Sequence, residues 1–178
     1  MKKNFLIPFV SILLTGLLLL GLSAGLNGIA AKNAREEHLS IMKTLLHGSE
    51  TFVVEEYTGD DENIVSVHKA ENGYVIETTT PGYAKDITML VAVTNEGKVV
   101  GLVIREMHET PSLGLNALSD ADFLSQFLNT SGDAEVGTNV DAITGATVTS
   151  KAIARCINSA VAYVTGADID SGATSWGG

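Results

Sequence analysis

The chain has 178 residues and a net charge of −10, with a single cysteine. That length allows one globular domain plus an accessory segment. The acidic balance excludes nucleic acid as a partner, because binding DNA or RNA needs a basic footprint. A lone Cys156 excludes an internal disulfide or a cysteine-held cluster.

Charge is unevenly placed along the chain. Lys2 and Lys3 open it, and no charged residue follows from Asn4 to Ala31. Residues 5–26, FLIPFVSILLTGLLLLGLSAGL, form an apolar run long enough to cross a bilayer, which takes about 20 residues as a helix. The two lysines in front of it place the N-terminus in the cytoplasm. The competing reading is a cleaved signal peptide, whose apolar core runs only about 7–15 residues, with Ala30 and Ala31 as a small-residue cleavage site. Either reading puts the rest of the chain outside the cytoplasmic membrane. Residues 1–31 are therefore expected to be a cytoplasmic stub and single transmembrane anchor. Residues 32–50 interleave charges with Leu39, Ile41, Met42, Leu45 and Leu46, the pattern of a juxtamembrane helix, which Gly48 can stop.

From residue 51 the period changes to that of strands. Runs at 51–57, 64–70, 74–79, 87–94 and 99–105 are rich in β-branched residues. Asn72-Gly73 separates two of them and is a strong hairpin signal. Asn95-Glu96-Gly97-Lys98 separates two more. Hairpins imply antiparallel pairing, so residues 51–166 are expected to form one α+β domain with a mainly antiparallel sheet and flanking helices. Neither G-x-G-x-x-G after a strand nor G-x-x-x-x-G-K-[ST] occurs, so the common nucleotide-binding loops are absent.

Pro81-Gly82-Tyr83 reads as a turn or as a backbone passing close to a ligand. His108-Glu109-Thr110-Pro111-Ser112-Leu113-Gly114 follows the last strong strand. Pro111 forbids central-strand pairing there, so this is a loop at a sheet edge. Ser119-Asp120-Ala121-Asp122 resembles a capping box before a short helix at 123–128. Residues 130–140 are a Gly/Asn/Asp-rich loop.

That loop leads into Asp141-Ala142-Ile143-Thr144-Gly145-Ala146-Thr147-Val148-Thr149-Ser150-Lys151. Small residues allow close approach to backbone, and hydroxyls before a helix are candidate caps. A helix start offers free N–H groups and the positive end of the dipole, a natural phosphate site. Ile153, Ile157, Ala160, Val161 and Val164 then recur at helical spacing, with Gly166 as the stop. Cys156 falls on this helix as a small core residue. The tail, 167–178, is rich in Gly, Ser and Asp.

The words Asp141-Ala-Ile-Thr-Gly-Ala-Thr147 and Glu109-Thr-Pro-Ser-Leu-Gly114 together resemble the FMN-binding domain family. Its recurring element is an acid, two variable residues, Ser or Thr, Gly, Ala and Thr. The likeness is strongest to the G subunits of Rnf-type membrane electron-transport complexes, and it includes the membrane anchor, the Gly82-Tyr83 turn and Ser150-Lys151. The C subunit of the sodium-pumping NADH:quinone reductase is related. The resemblance implies FMN held covalently by a phosphoester to Thr147, installed by a flavin transferase that uses FAD and magnesium. It implies that Glu109, Thr110, Leu113 and Gly114 approach the flavin ring or its ribityl chain. Ser112 departs from the family's usual Gly.

With FMN so attached, Gly145, Ala146 and Val148 belong to the phosphate cradle. Thr144, Thr149 and Ser150 supply hydrogen bonds, and Lys151 offsets phosphate charge. Asp141 orders the turn or is read by the transferase. No catalytic residue and no metal site are expected, and His108 reads as a solvated loop residue. The implied role is a redox subunit among other membrane subunits rather than a self-sufficient enzyme. A stand-alone anchored flavoprotein and a non-flavin binding domain are the alternatives. The tail's Asp168-Ile-Asp-Ser-Gly-Ala-Thr174 repeats the short word without a helix after it, so Thr147 is the expected attachment site.

Overall fold

The computed structural model describes residues 6–108 and 120–167, with side chains between 6 and 28 described only at 14–16. The chain divides into two compact units, Met1–Ile41 and Met42–Gly178. Helix α1 spans Leu6–Leu45. In the first unit it carries an ion pair between Lys32 and Glu36, one helical turn apart. Most of the apolar run at 5–26 lies outside the described side chains. Among the described residues no helix is long and apolar enough to cross a membrane.

The second unit is built on a five-stranded sheet: β1 (Val53–Glu55), β2 (Ile64–Lys69), β3 (Gly73–Pro81), β4 (Asp86–Thr94) and β5 (Val99–Glu106). The strands lie in sequence order and every pairing is antiparallel. This meander follows from short connections, because tight hairpins can only join antiparallel neighbours. Gly73 sits so close to β4 that a side chain there would strike the Val93 carbonyl, which explains the residue at that hairpin. Strand β3 runs longer than expected, through Pro81, which pairs with Asp86 at the very end of the ladder. Proline is tolerated there because no further ladder bond is needed.

The long helix α3 covers one face of the sheet. It spans Thr147–Thr165, and Gly166 closes it in the left-handed conformation, its N–H bonded to the Ala162 carbonyl. Ile87, Met89, Val91 and Val93 alternate along β4 and are fully buried with Ile153, Ile157, Ala160 and Val161 of α3, as the two-residue and 3.6-residue periods require. The short helix α2 (Ala121–Ser125) adds Phe123, with Phe127 just beyond its end. The Asp120 side chain caps it by accepting from Phe123 N at 2.9 Å.

Val75, Leu90 and Ala92 point to the opposite face and are also buried. Met42 and Leu46, in and just after the last turn of α1, are buried in the same unit. A side chain at Gly101 would come within 2.6 Å of the Leu45 carbonyl, so this turn runs directly against β5. Asn72 ties it down by donating to the His47 carbonyl at 2.8 Å and by bonding to the Ser49 hydroxyl. The sheet-bearing unit therefore starts at Met42.

Candidate functional site

The direction of α3 decides which parts of the chain meet. Thr80 Oγ1, buried on β3, donates to the Ala152 carbonyl at 3.0 Å. Cys156 Sγ lies 3.3 Å from Thr80 Oγ1 and 3.8 Å from the Ile87 carbonyl. Further along, Ser159 Oγ accepts from Asn63 Nδ2 at 3.3 Å, and a side chain at Gly97 would strike Thr165. The helix thus starts at the β3–β4 turn and ends at the β4–β5 turn. Strand β5 finishes at this same starting end, since Glu106 pairs with Thr88. Three segments far apart in sequence converge there: the turn at 82–85, the chain leaving β5, and the stretch 141–147. The ladder shifts register between Thr88 and Met89, a bulge of the kind that re-aims a strand end beside a functional site.

The stretch 141–147 is a tight turn feeding directly into the helix. Ala146 N donates to the Ile143 carbonyl at 2.9 Å. Gly145 holds φ at 77°, as the third position of a type II turn requires. Ile143 packs against the core, and Ala146 is buried. Thr144 and Gly145 are exposed, and so is Thr147, the first helical residue. The N-cap position is Ala146, and no side chain caps the helix. Ser, Thr, Asp or Asn would normally stand there to accept the first N–H groups. With alanine in that place, the donors at the start of α3 are left for an acceptor from outside, and the exposed Thr147 hydroxyl lies beside them. An esterified phosphate fits this donor set.

The other expected residues divide into two groups. Lys151 is exposed and Val148 half-buried. Thr149 and Ser150 are buried. The Ser150 hydroxyl accepts from Ile143 N at 3.2 Å and donates to the Ala146 carbonyl at 3.0 Å. It therefore holds the turn shut rather than facing outward. Asp141 is exposed. Its backbone is gripped by Gln126, whose Oε1 accepts from Asp141 N at 2.8 Å. Gln126 was not visible as a site residue in the sequence, because nothing in a short helix marks a contact fifteen residues away. His108 is exposed at the end of β5. Glu109, Thr110, Leu113 and Gly114, like Thr174 of the tail, lie outside the described residues.

Behind the turn, α3 is anchored by polar groups as well as by its apolar face. Asn158, buried, accepts from Ala134 N at 3.1 Å and donates to the Ala134 carbonyl at 2.9 Å. This pair ties α3 to the loop at 130–140 that delivers the motif. Cys156 is a free, buried thiol. Burial pushes its pKa up, against smaller lowering contributions from hydrogen bonds with Thr80 and Thr78. A thiol kept neutral is a poor nucleophile, so Cys156 belongs to the packing. Among the described residues no group of three His, Cys, Asp or Glu side chains could hold a metal ion.

Comparison with known proteins covers the same ground. Residues 82–162 match the FMN-binding domain, starting at the β3–β4 turn and ending within α3. The chain is 41% identical over 99 residues to the G subunit of the proton-translocating ferredoxin:NAD(+) oxidoreductase complex of Clostridium ljungdahlii, over 52% of this chain and 53% of that protein. It is 31% identical over 98 residues to the G subunit of the Na(+)-translocating ferredoxin:NAD(+) oxidoreductase complex of Acetobacterium woodii, over 50% and 47%. It is 33% identical over 119 residues to the G subunit of the ion-translocating oxidoreductase complex of Escherichia coli O157:H7, over 59% and 58%. The chain thus spans about half the length of the relatives it matches. Residues 82–162, which hold the β3–β4 turn, the motif turn and most of α3, are thus similar to the FMN-binding domain.

Proposed function

We propose that this protein carries FMN as a phosphoester on Thr147 and relays electrons within a membrane-bound, ion-translocating oxidoreductase complex. The observation that carries this reading is the exposed Thr147 hydroxyl at a helix start with no side-chain cap, inside the matched domain. The names of the relatives supply the kind of complex.

When bound, the flavin supplies reversible one- and two-electron transfer. This chain's residues hold it in place. The free N–H groups at the start of α3 and its dipole stabilise the phosphate charge. Thr144 and Lys151 stand on the exposed side of the turn, where a hydroxyl and an ammonium group can reach phosphate oxygens. Gly145, Ala146 and Val148 let the phosphate approach the backbone. Ser150 and Thr149 act from below, Ser150 by closing the turn. Glu109, Thr110, Leu113 and Gly114, which come after β5 in the sequence, are assigned to the ring or its ribityl arm by the family resemblance.

Among the described residues, no hydrogen bond joins Thr147 to a base that would let it modify itself. A separate flavin transferase, using FAD and magnesium, therefore makes the ester. The Thr147 oxygen bonds to the FMN phosphorus, AMP leaves, and the hydroxyl proton passes to the transferase. The exposed Asp141 is available for that enzyme to read. Residues 5–26 anchor the chain in the cell membrane with the N-terminus cytoplasmic, and the FMN domain lies on the other side with the partner subunits.

Isolation of the full chain from membranes of cells that also make the transferase tests this reading. Flavin fluorescence that stays with the band through denaturing electrophoresis, together with co-purifying membrane subunits, is expected. A band without flavin would contradict the covalent carrier. A flavin-bearing band that purifies alone would contradict complex membership and favour a stand-alone flavoprotein.

A further inference from the structure

The loop that delivers the motif is held by side-chain amides where a sheet would use a neighbouring strand. Asn139 accepts from Glu135 N at 2.7 Å and donates to the Asp133 carbonyl at 2.6 Å. Asn158 holds both backbone groups of Ala134. Gln126 does the same at Asp141, where the motif begins. Its Oε1 accepts from Asp141 N at 2.8 Å, and its Nε2 donates to the Asp141 carbonyl at a longer 3.5 Å. A carboxamide carries both an acceptor and donors, so one side chain can meet both backbone groups of one residue.

The grip on Asp141 differs from the other two in what it leaves free. Gln126 stands at the end of α2, and its own N–H is bonded to the Phe123 carbonyl at 3.3 Å. Phe123 and Phe127 on either side of it are buried in the core and meet edge to face at 5.2 Å, so its backbone is anchored. Among the described residues, both hydrogen bonds of Asp141 use its backbone, and its side chain is exposed. Other groups close the turn that follows: the Ser150 hydroxyl on Ile143 N, and Ala146 N on the Ile143 carbonyl. The Asp141 carboxylate is therefore not spent on ordering the turn. It is presented at one end of the motif, and the exposed Thr147 stands at the other.

We propose that Gln126 is a positioning residue for the attachment of FMN: by clamping the backbone of Asp141, it fixes where that carboxylate stands relative to Thr147 and so sets how readily a flavin transferase engages this chain. This rests on the reading that a transferase loads Thr147. A fixed carboxylate is a recognition group for a cationic or N–H donor group of that enzyme. Without the clamp, Asp141 samples other orientations. The apparent affinity then falls by the fraction of time spent in the readable one, while the chemical step of a correctly docked chain is unaltered.

The test uses the full chain, purified in detergent without FMN and offered to the transferase with FAD and magnesium. The initial rate of the FMN mass gain is followed against chain concentration. Gln126→Met keeps the length of the side chain and removes both hydrogen bonds, and Gln126→Ala removes the side chain. Val75→Ala, in the buried layer on the sheet face opposite α3, weakens the fold without touching either residue. The expected result is a KM for the chain raised severalfold at nearly unchanged kcat in both Gln126 variants, and an unchanged KM in Val75→Ala. In the unloaded chain, amide hydrogen exchange at Asp141 should quicken in Gln126→Met. Unchanged exchange there would overturn the clamp. An unchanged KM in both Gln126 variants, or an equal rise in Val75→Ala, would overturn the positioning role and leave the attachment at Thr147 standing. Absence of the FMN mass from the unaltered chain would overturn the attachment, and the role of Gln126 with it.

Discussion

At the scale of single residues, the site depends on a few atoms that never touch the ligand. Ser150 is the clearest case. Its hydroxyl joins Ile143 N to the Ala146 carbonyl, so Ser150→Ala leaves the part-buried Ile143 N–H without this partner, at a cost of about 1 kcal/mol. Gly145→Ala forces a side chain into a left-handed backbone, which costs about 1–2 kcal/mol. Urea denaturation is expected to show both losses, while Lys151→Ala, on the surface, stays within about 0.5 kcal/mol of the parent. Cys156 makes a prediction about pH. Burial raises its pKa in the fold, and burial likewise raises that of Tyr163. The unfolded chain therefore loses these protons first as the pH rises. Stability is constant below the ordinary thiol range, about 8.5, and falls as the pH climbs above it. Urea midpoints measured from pH 7 to 10 should decline above that point, and Cys156→Ala should flatten the first part of the decline. A midpoint that rises with pH would contradict the buried neutral thiol.

At the scale of elements, α3 matters more than the sheet for placing Thr147, because this proposed attachment residue is its first residue. Asn158 holds both backbone groups of Ala134. Asn158→Ala should cost about 1–3 kcal/mol for each backbone group left buried and unpaired. Amide hydrogen exchange should then quicken at Ala134 and in the loop 130–140; unchanged protection there would show that the pair does not hold the loop. The hairpins and α3 were legible in the sequence because they depend on local chemistry. Asn72-Gly73 and Asn95–Lys98 announce turns, and Ile153, Ile157, Ala160 and Val161 announce an apolar helix face. Strand ends fell within two residues of the expected ones, and the short helix began two and ended three residues earlier than expected. Thr147 itself, expected just before the helix, is inside it, because Ala146 takes the N-cap place without a capping side chain. The grip of Gln126 on Asp141 was not legible, and neither was the inward turn of Ser150. Both depend on which way a side chain points after distant segments have packed, and neither has a local pattern. The short motif showed the limit from the other side, since Asp168–Thr174 repeats it without a helix to follow.

At the scale of the whole molecule, an antiparallel meander and one long helix bring three distant segments to one end of the sheet. The 82–85 turn, the exit from β5 and the motif turn are joined by ladder register and by the direction of α3, not by nearness in sequence. That end holds an exposed hydroxyl beside uncapped helix donors, and all three segments fall within the matched residues 82–162. The opposite end is stitched by Asn72 to the residues just after α1 and takes no part in the proposed chemistry. The central claim is the ester on Thr147. Intact-mass and peptide mass spectrometry of the full chain, co-expressed with the flavin transferase, tests it most directly. The account predicts a gain equal to FMN less one water, mapped to the peptide containing Thr147, lost in Thr147→Ala and kept in Thr174→Ala. A gain that maps to Thr174, or no gain in the unaltered chain, would contradict it.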